Sequence, residues 1–217
     1  MRKGFCGLSN DYSDYQNAAI VILPIPFDKT STWLKGADKG PEAILEASAH
    51  LEFYDIETDT EVLKRGIFTA EPIQADSSDV LIDKSESVVS KYLNDDKFVV
   101  AVGGEHSISI GVIKSYVKKY KDLSVLHLDA HADLRDTYEG SRYNHACVIA
   151  RVMEFTEHIV SVGVRSIDVE EKPRIQNIKM FFAHGIYNSD EWIDEAVGRL
   201  TDDVYITIAI VMYTSSV

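Results

Sequence analysis

Six short apolar runs bounded by turn-forming residues constrain this chain most: Ala18 to Ile25, Phe98 to Gly103, Ser124 to Asp129, Ile159 to Val164, Lys179 to Phe182 and Val204 to Ile210. Several are apolar almost throughout instead of alternating. That is the pattern of parallel strands covered on both faces. Helices are expected between them, at Pro41 to His50, where proline suits a first turn, then at roughly Val80 to Asn94, Ile108 to Lys121, Ala146 to Phe155 and Asp190 to Leu200. Strands alternating with helices imply βαβ units. The expected class is therefore α/β, a doubly wound parallel sheet with sites outside the carboxyl ends of its strands. With 217 residues, 45% of them hydrophobic, the chain can bury a substantial core. It shows no repeat, low-complexity stretch or linker, so a single domain over residues 1–217 is expected.

The charge balance narrows the partners. The chain has 22 basic and 35 acidic side chains, a net charge of −13. That argues against nucleic acid, whose binding rests on basic contacts to phosphate. A small cationic molecule fits better, although acidic surfaces mostly serve solubility. Cys6 and Cys147 lie far apart with no CxxC pairing, as expected of a chain kept in a reducing compartment. No stretch approaches the roughly 18 apolar residues of a membrane span, and the first residues carry no signal-peptide core. A cytoplasmic location away from membranes is the expectation.

Two motifs carry chemistry. Asp129-Ala130-His131-Ala132-Asp133 leaves the apolar strand SVLHLD as a D-x-H-x-D pattern. If the extended conformation continues, positions i, i+2 and i+4 share a face, and two carboxylates converge with an imidazole. Hard oxygen ligands mixed with imidazole suit Mn²⁺, with zinc, iron and nickel as alternatives. The bland reading makes Asp129 and Asp133 solvated or capping carboxylates. His127 shares the parity of the motif but lies inside the strand, and is read as a hydrogen-bonded core histidine. The second motif, Gly103-Gly104-Glu105-His106-Ser107, follows the buried run FVVAV and precedes a helix. Paired glycines permit a tight exit and close backbone approach. His106 then becomes a fourth candidate ligand, unless the motif is only a strand-to-helix turn capped by Ser107. A site of His106, Asp129, His131 and Asp133 holds two metals if one carboxylate bridges them, and such a pair activates a water as hydroxide at neutral pH.

GGEHS, LDAHADLRD and YNHACVIARV, in this order, resemble the ureohydrolase family of arginases and agmatinases. PFDKTSTWLKGADKGPEAILEAS and VSVGVRS extend the resemblance, which runs from about Ile20 to Ile208. It implies a three-layer α/β/α sandwich on a parallel sheet, two Mn²⁺ ions and hydrolysis of a guanidino compound to urea and an amine. On the matching positions, His106, Asp129 and Asp133 would hold one metal, Asp129 would bridge, and His131 would help hold the second. His145, in Asn144-His145-Ala146, matches the family's catalytic histidine, a proton shuttle to the departing amine. Without the resemblance it reads as a histidine near a helix start. The wording is most like bacterial agmatinases, which favours agmatine, with putrescine and urea as products. Guanidinobutyrate, arginine and formiminoglutamate are alternatives.

The resemblance breaks after Tyr205-Ile206-Thr207-Ile208. Where the family reads Asp-Ile-Asp, this chain has Ala209, Ile210 and Val211. The expectation is a C-terminally truncated relative whose second metal keeps only Asp129 and His131, with weak or absent turnover. A non-catalytic subunit that keeps the fold and assembles with complete copies is the runner-up. A one-metal hydrolase related to deacetylases is a third reading, disfavoured by the same two substitutions. Family members form trimers or hexamers, so a homo-oligomer is expected if the missing segment is dispensable.

Overall fold

The computed structural model describes residues 4–209, and the chain divides into two compact units, Met1–Val112 and Ile113–Val217. Both are α/β with parallel sheets. In the first, β1 (Ile20–Ile25) runs parallel to β4 (Ile67–Thr69) on one side and to β5 (Phe98–Gly103) on the other. A two-stranded antiparallel hairpin, β2 (Tyr54–Asp55) and β3 (Thr60–Glu61), stands apart from that sheet. Five of the six residues of β1 are buried, which explains its unbroken apolar run. Helix α1 (Asn10–Ser13) is a single turn. Helix α2 (Gly40–Ser48) has proline in its first turn and sends Leu45 against Ile22 and Ile67. Helix α3 (Ser78–Asn94) begins at the Ser77 cap, whose hydroxyl accepts the Val80 amide, and buries Leu81, Ile82, Val89 and Leu93 at helical spacing. Helix α4 (Ile108–Lys119) contains the division between the units.

The second unit holds a four-stranded parallel sheet in the order β8-β7-β6-β9, made of β6 (Ser124–Leu128), β7 (Ile159–Val164), β8 (Lys179–Phe182) and β9 (Val204–Ile208). All six residues of β7 are buried, and β7 lies inside the sheet. Helix α5 (Val148–Val152) is fully buried, α6 (Lys172–Ile175) and α7 (Ala183–Ile186) are single turns, and α8 (Glu191–Val197) sets Ala196 and Trp192 against Val160, Val162 and Phe181. Strand β9 alternates: Thr207 is buried, whereas Val204, Ile206 and Ile208 are exposed.

The expected strands recur with small shifts. The run expected to open at Ala18 becomes a strand at Ile20, and the one expected to reach Ile210 is a strand to Ile208, Ile210 itself lying outside the described residues. Ala146 to Phe155 is a 3-10 turn (His145–Cys147) followed by α5 and not one helix. Both cysteine thiols are free. Among the described residues no helix is long and apolar enough to cross a membrane.

Loops at the carboxyl ends of β1 and β5 interlock through glycine. A Cβ on Gly104 would lie 2.0 Å from the Phe27 carbonyl oxygen, and the Gly104 and Glu105 amides donate to the Ile25 and Phe27 carbonyls. The backbone at Gly104 cannot retreat without breaking these bonds. Gly104→Ala is expected to lower unfolding free energy by about 2–3 kcal/mol, the upper part of the overpacking range, in a urea titration. A loss below about 0.5 kcal/mol would show that the turn relaxes freely.

The loop after β1 is pinned by Asp28, whose buried carboxylate accepts from the Gly36 amide (2.6 Å), the Ala37 amide (3.0 Å) and the Ser31 hydroxyl, with Lys35 Nζ 3.7 Å away. Burial raises the Asp28 pKa, but these donors outweigh it and hold the group below the usual carboxylate value. A depressed folded pKa contributes stability that is present above the unfolded value of about 3.9 and is lost as pH falls through the folded value. Asp28→Asn should therefore cost about 1–2 kcal/mol near pH 7, with the gap to the parent closing below about pH 4 in melts across pH. A gap constant with pH would remove ionisation from the explanation.

Candidate metal centre

Strand β6 delivers the D-x-H-x-D motif to the carboxyl edge of the second unit's sheet. Its ladder with β7 carries one residue past the strand, since the Asp129 amide donates to the Val162 carbonyl at 3.1 Å. Inside the strand, His127 is fully buried opposite Ser161, with Nδ1 3.0 Å from the Ser161 hydroxyl and Nε2 3.4 Å from Asp129 Oδ2. The ring is thus a core histidine, as expected, but its other nitrogen faces the motif. Asp129 Oδ1 accepts the His131 amide (2.8 Å) and lies 3.2 Å from His131 Nδ1. That hydrogen bond raises the His131 pKa, against the opposing pull of burial.

The extended conformation does not continue to Asp133. His131 makes an isolated parallel bridge to Ser166, the Ala130 carbonyl accepts the Arg165 and Ser166 amides, and Asp133 takes a left-handed conformation with φ of 52°. Aspartate tolerates that region better than most side chains. The turn buries Asp133 beside Asp129, while about half of the His131 side chain stays exposed. The strict i, i+2, i+4 picture is corrected accordingly: the carboxylates meet through a left-handed turn, because backbone hydrogen bonds to neighbouring loops replace the strand ladder.

Those loops hold the turn from afar. Glu171 is buried and its Oε1 accepts the Leu134 amide (2.8 Å), directly after Asp133, while Oε2 accepts the Asp168 amide (2.7 Å) in a capping box. Ala150, in buried α5, donates its amide to the Asp133 carbonyl at 3.1 Å. Arg135 bridges Asp168 and Glu170, and its guanidinium stacks 4.7 Å from the centre of the Tyr138 ring. These supporting residues carried no sequence signal beyond ordinary polar loops.

Ligand-capable atoms of His127, Asp129 and Asp133 lie within 4.8 Å of one another. Two buried carboxylates this close, with an imidazole between hard and soft in character, are a donor set suited to a divalent cation. The arrangement fits a metal. His145 sits half-buried in the 3-10 turn capped by Asn144, whose Oδ1 accepts the Ala146 amide at 3.1 Å, with the Tyr138 ring edge-on at 6.0 Å. Burial pushes the pKa of the Cys147 thiol, in the same turn, up to about 11.

In the first unit His106 occupies the turn from β5 to α4, where its carbonyl accepts the Ser109 amide. Glu105 is buried and fixes the turn: it accepts Ser107 N and Ser107 Oγ (2.8 Å each) and Thr30 Oγ1 (2.8 Å). Ser107 holds that carboxylate through both its amide and its hydroxyl.

A profile described as the arginase family matches residues 18–214. The chain belongs to the arginase family. An N(1)-aminopropylagmatine ureohydrolase of Synechocystis is 38% identical over 212 residues, covering 92% of this chain and 69% of that protein. An agmatinase of Bacillus cereus is 34% identical over 206 residues, covering 92% and 70%. The agmatine ureohydrolase of Thermoplasma volcanium superposes with a TM-score of 0.86 at 31% identity, over 95% of this chain and 70% of that one. This arginase-family chain is shorter than these relatives. It shares their α/β fold, in a family of metal-dependent hydrolases of carbon–nitrogen bonds.

Proposed function

We propose that this chain carries a manganese site for hydrolysis of agmatine to putrescine and urea, and that its second metal position is impaired. The observation that carries the reading is the pair of buried carboxylates, Asp129 and Asp133, gathered at a strand end with imidazole in reach. His106, Asp129 and Asp133 would hold the first ion, and Asp129 would bridge to a second held by His131. Bound Mn²⁺ would supply Lewis acidity and an activated water. His127 orients Asp129 through its Nε2, and Ser161 sets the ring. His145 would pass a proton to the departing amine. The two units would form one ureohydrolase domain, working in the cytoplasm as a homo-oligomer, with no role for nucleic acid or membrane.

Impairment rests on Ala209. Its amide donates to the Leu128 carbonyl at 3.0 Å, which sets a methyl group one ladder step from Asp129. A carboxylate at 209 would face the site. Val211, the second altered position, lies outside the described residues. A second reading takes N(1)-aminopropylagmatine as the substrate, favoured by the 38% identical relative. A non-catalytic assembly subunit is the reading that remains if turnover is nil while metal still binds.

Urea release from agmatine by the purified chain, with Mn²⁺ or with chelator, tests the proposal. A slow rate that depends on Mn²⁺ is expected. A rate equal to that of an intact agmatinase would refute the impairment, and a rate indifferent to chelator would refute the metal site.

A further inference from the structure

A cleft of about 730 Å³ lies at the amino ends of β1 and β5, and all of its walls belong to the first unit. Its floor is built around Ala19. The Ala19 amide donates to the Arg65 carbonyl at 2.9 Å and the Ala19 carbonyl accepts the Phe98 amide at 2.8 Å, so Arg65 and Phe98 flank it on either side. Two strand spacings set their Cα atoms about 10 Å apart. Gly66 fixes the Arg65 side, since it has φ of 72°, its carbonyl accepts the Ile20 amide, and a Cβ there would lie 2.7 Å from Ala18 Cα. The hairpin of β2 and β3 supplies another wall through Tyr54 and its register partner Glu61, and Val62 continues it.

The lining is mostly apolar, yet its aromatic rings stand in water: Phe98 is 66% exposed and Tyr54 55%. Exposed apolar surface gathered in a concavity of this volume, with few polar groups, is the usual form of a small-molecule site. The charges in the lining are unequally matched. Lys64 is ion-paired with Glu61, and Asp59 Oδ1 accepts the Tyr54 hydroxyl at 2.5 Å. The Arg65 guanidinium has no counter-ion among the described residues. Arginine presents a planar fork that matches a carboxylate. We propose that this cleft binds a small monocarboxylate with an apolar body, the carboxylate on Arg65 and the ring or branched chain against Phe98. A polyphosphate is a poor occupant, because Asp59 and Glu61 share the lining and one unpaired cation cannot balance several negative charges. None of the lining residues belongs to the candidate metal centre, and the His106 turn follows the opposite end of β5. The ligand is therefore an effector and not the compound hydrolysed.

3-Phenylpropionate is a suitable probe, and 3-phenylpropionamide is its uncharged match. Calorimetry on the full chain should show saturable binding of the acid, with the amide weaker by about 3- to 10-fold, as one partly exposed charge-assisted pair would give. Arg65→Gln should erase the difference between acid and amide, and Phe98→Ala should weaken both alike. Both side chains are exposed, so neither change should lower the melting temperature of the unliganded chain. Equal affinity for acid and amide in the unaltered chain overturns the proposal without recourse to a variant, and so does the absence of saturable heat. A difference that persists in Arg65→Gln overturns it too, because the carboxylate is then held elsewhere. A concentration-dependent dimer in sedimentation that Phe98→Ala dissociates assigns the cleft to a second copy and equally overturns it. Urea release is not a readout here, so failure of the guanidino reading would leave this test intact.

Discussion

Manganese affinity of the Asp129→Asn chain is expected to fall at least about a thousand-fold in a calorimetric titration. Loss of a residue that merely orients a ligand costs roughly 10- to 100-fold, and loss of a bridging ligand must exceed that. A thousand-fold is about 4 kcal/mol. The substitution keeps the oxygen that accepts the His131 amide, so local geometry survives. It also removes one of two buried negative charges whose atoms lie within 4.8 Å. Without metal, the variant should therefore melt at the same temperature as the parent or higher, because like charges out of water repel. With Mn²⁺ present the order reverses, since ligand binding stabilises only the parent. Affinity within tenfold of the parent would remove Asp129 from the site.

If positions 209 and 211 are metal-ligand positions as proposed, aspartate at both should raise urea release from agmatine by about a hundred-fold or more, close to 2.7 kcal/mol of transition-state stabilisation. The Ala209→Asp change is the one with a visible basis, through the amide that joins Ala209 to the Leu128 carbonyl beside Asp129. Alone it should give a smaller gain than Ala209→Asp with Val211→Asp, because two ligands to one ion act as a unit and not additively. If the double variant binds a second equivalent of Mn²⁺ yet stays as slow as the parent, metal loading is not the limiting defect. If it binds no more metal than the parent, positions 209 and 211 are not the ligands proposed.

Much of the fold was legible where strands are buried on both faces, as β1 and β7 are. In β7 the run IVSVGV is buried at every residue, and its boundaries match the expected ones. What escaped was short or polar. The strand Ile67–Thr69 has three residues, and its pairing with β1 is decided by the partner strand and not by its own pattern. The Tyr54–Asp55 and Thr60–Glu61 hairpin has two residues a side, and its positions are mostly exposed. At the site, residue types and order were readable while directions were not. Asp133 turns inward through a positive φ that aspartate permits but does not announce. Glu171, 37 positions from the Leu134 amide it accepts, holds that turn through a contact no local pattern encodes. His127 shares the motif's parity and reads as a core residue; its ring is buried against Ser161, with Nε2 3.4 Å from Asp129 Oδ2.

Strand β9 ends the second unit's sheet with Val204, Tyr205, Ile206, Thr207 and Ile208, a segment without proline or charge, and with Ile206 52% and Ile208 61% exposed. Natural edges are commonly guarded by lysine, proline or a bulge, and among the described residues this strand has none of these. The consequence is kinetic. Closing the sheet within one chain is a first-order event, whereas strand capture between two chains is second-order, so the fate of newly made protein depends on how much of it is made at once.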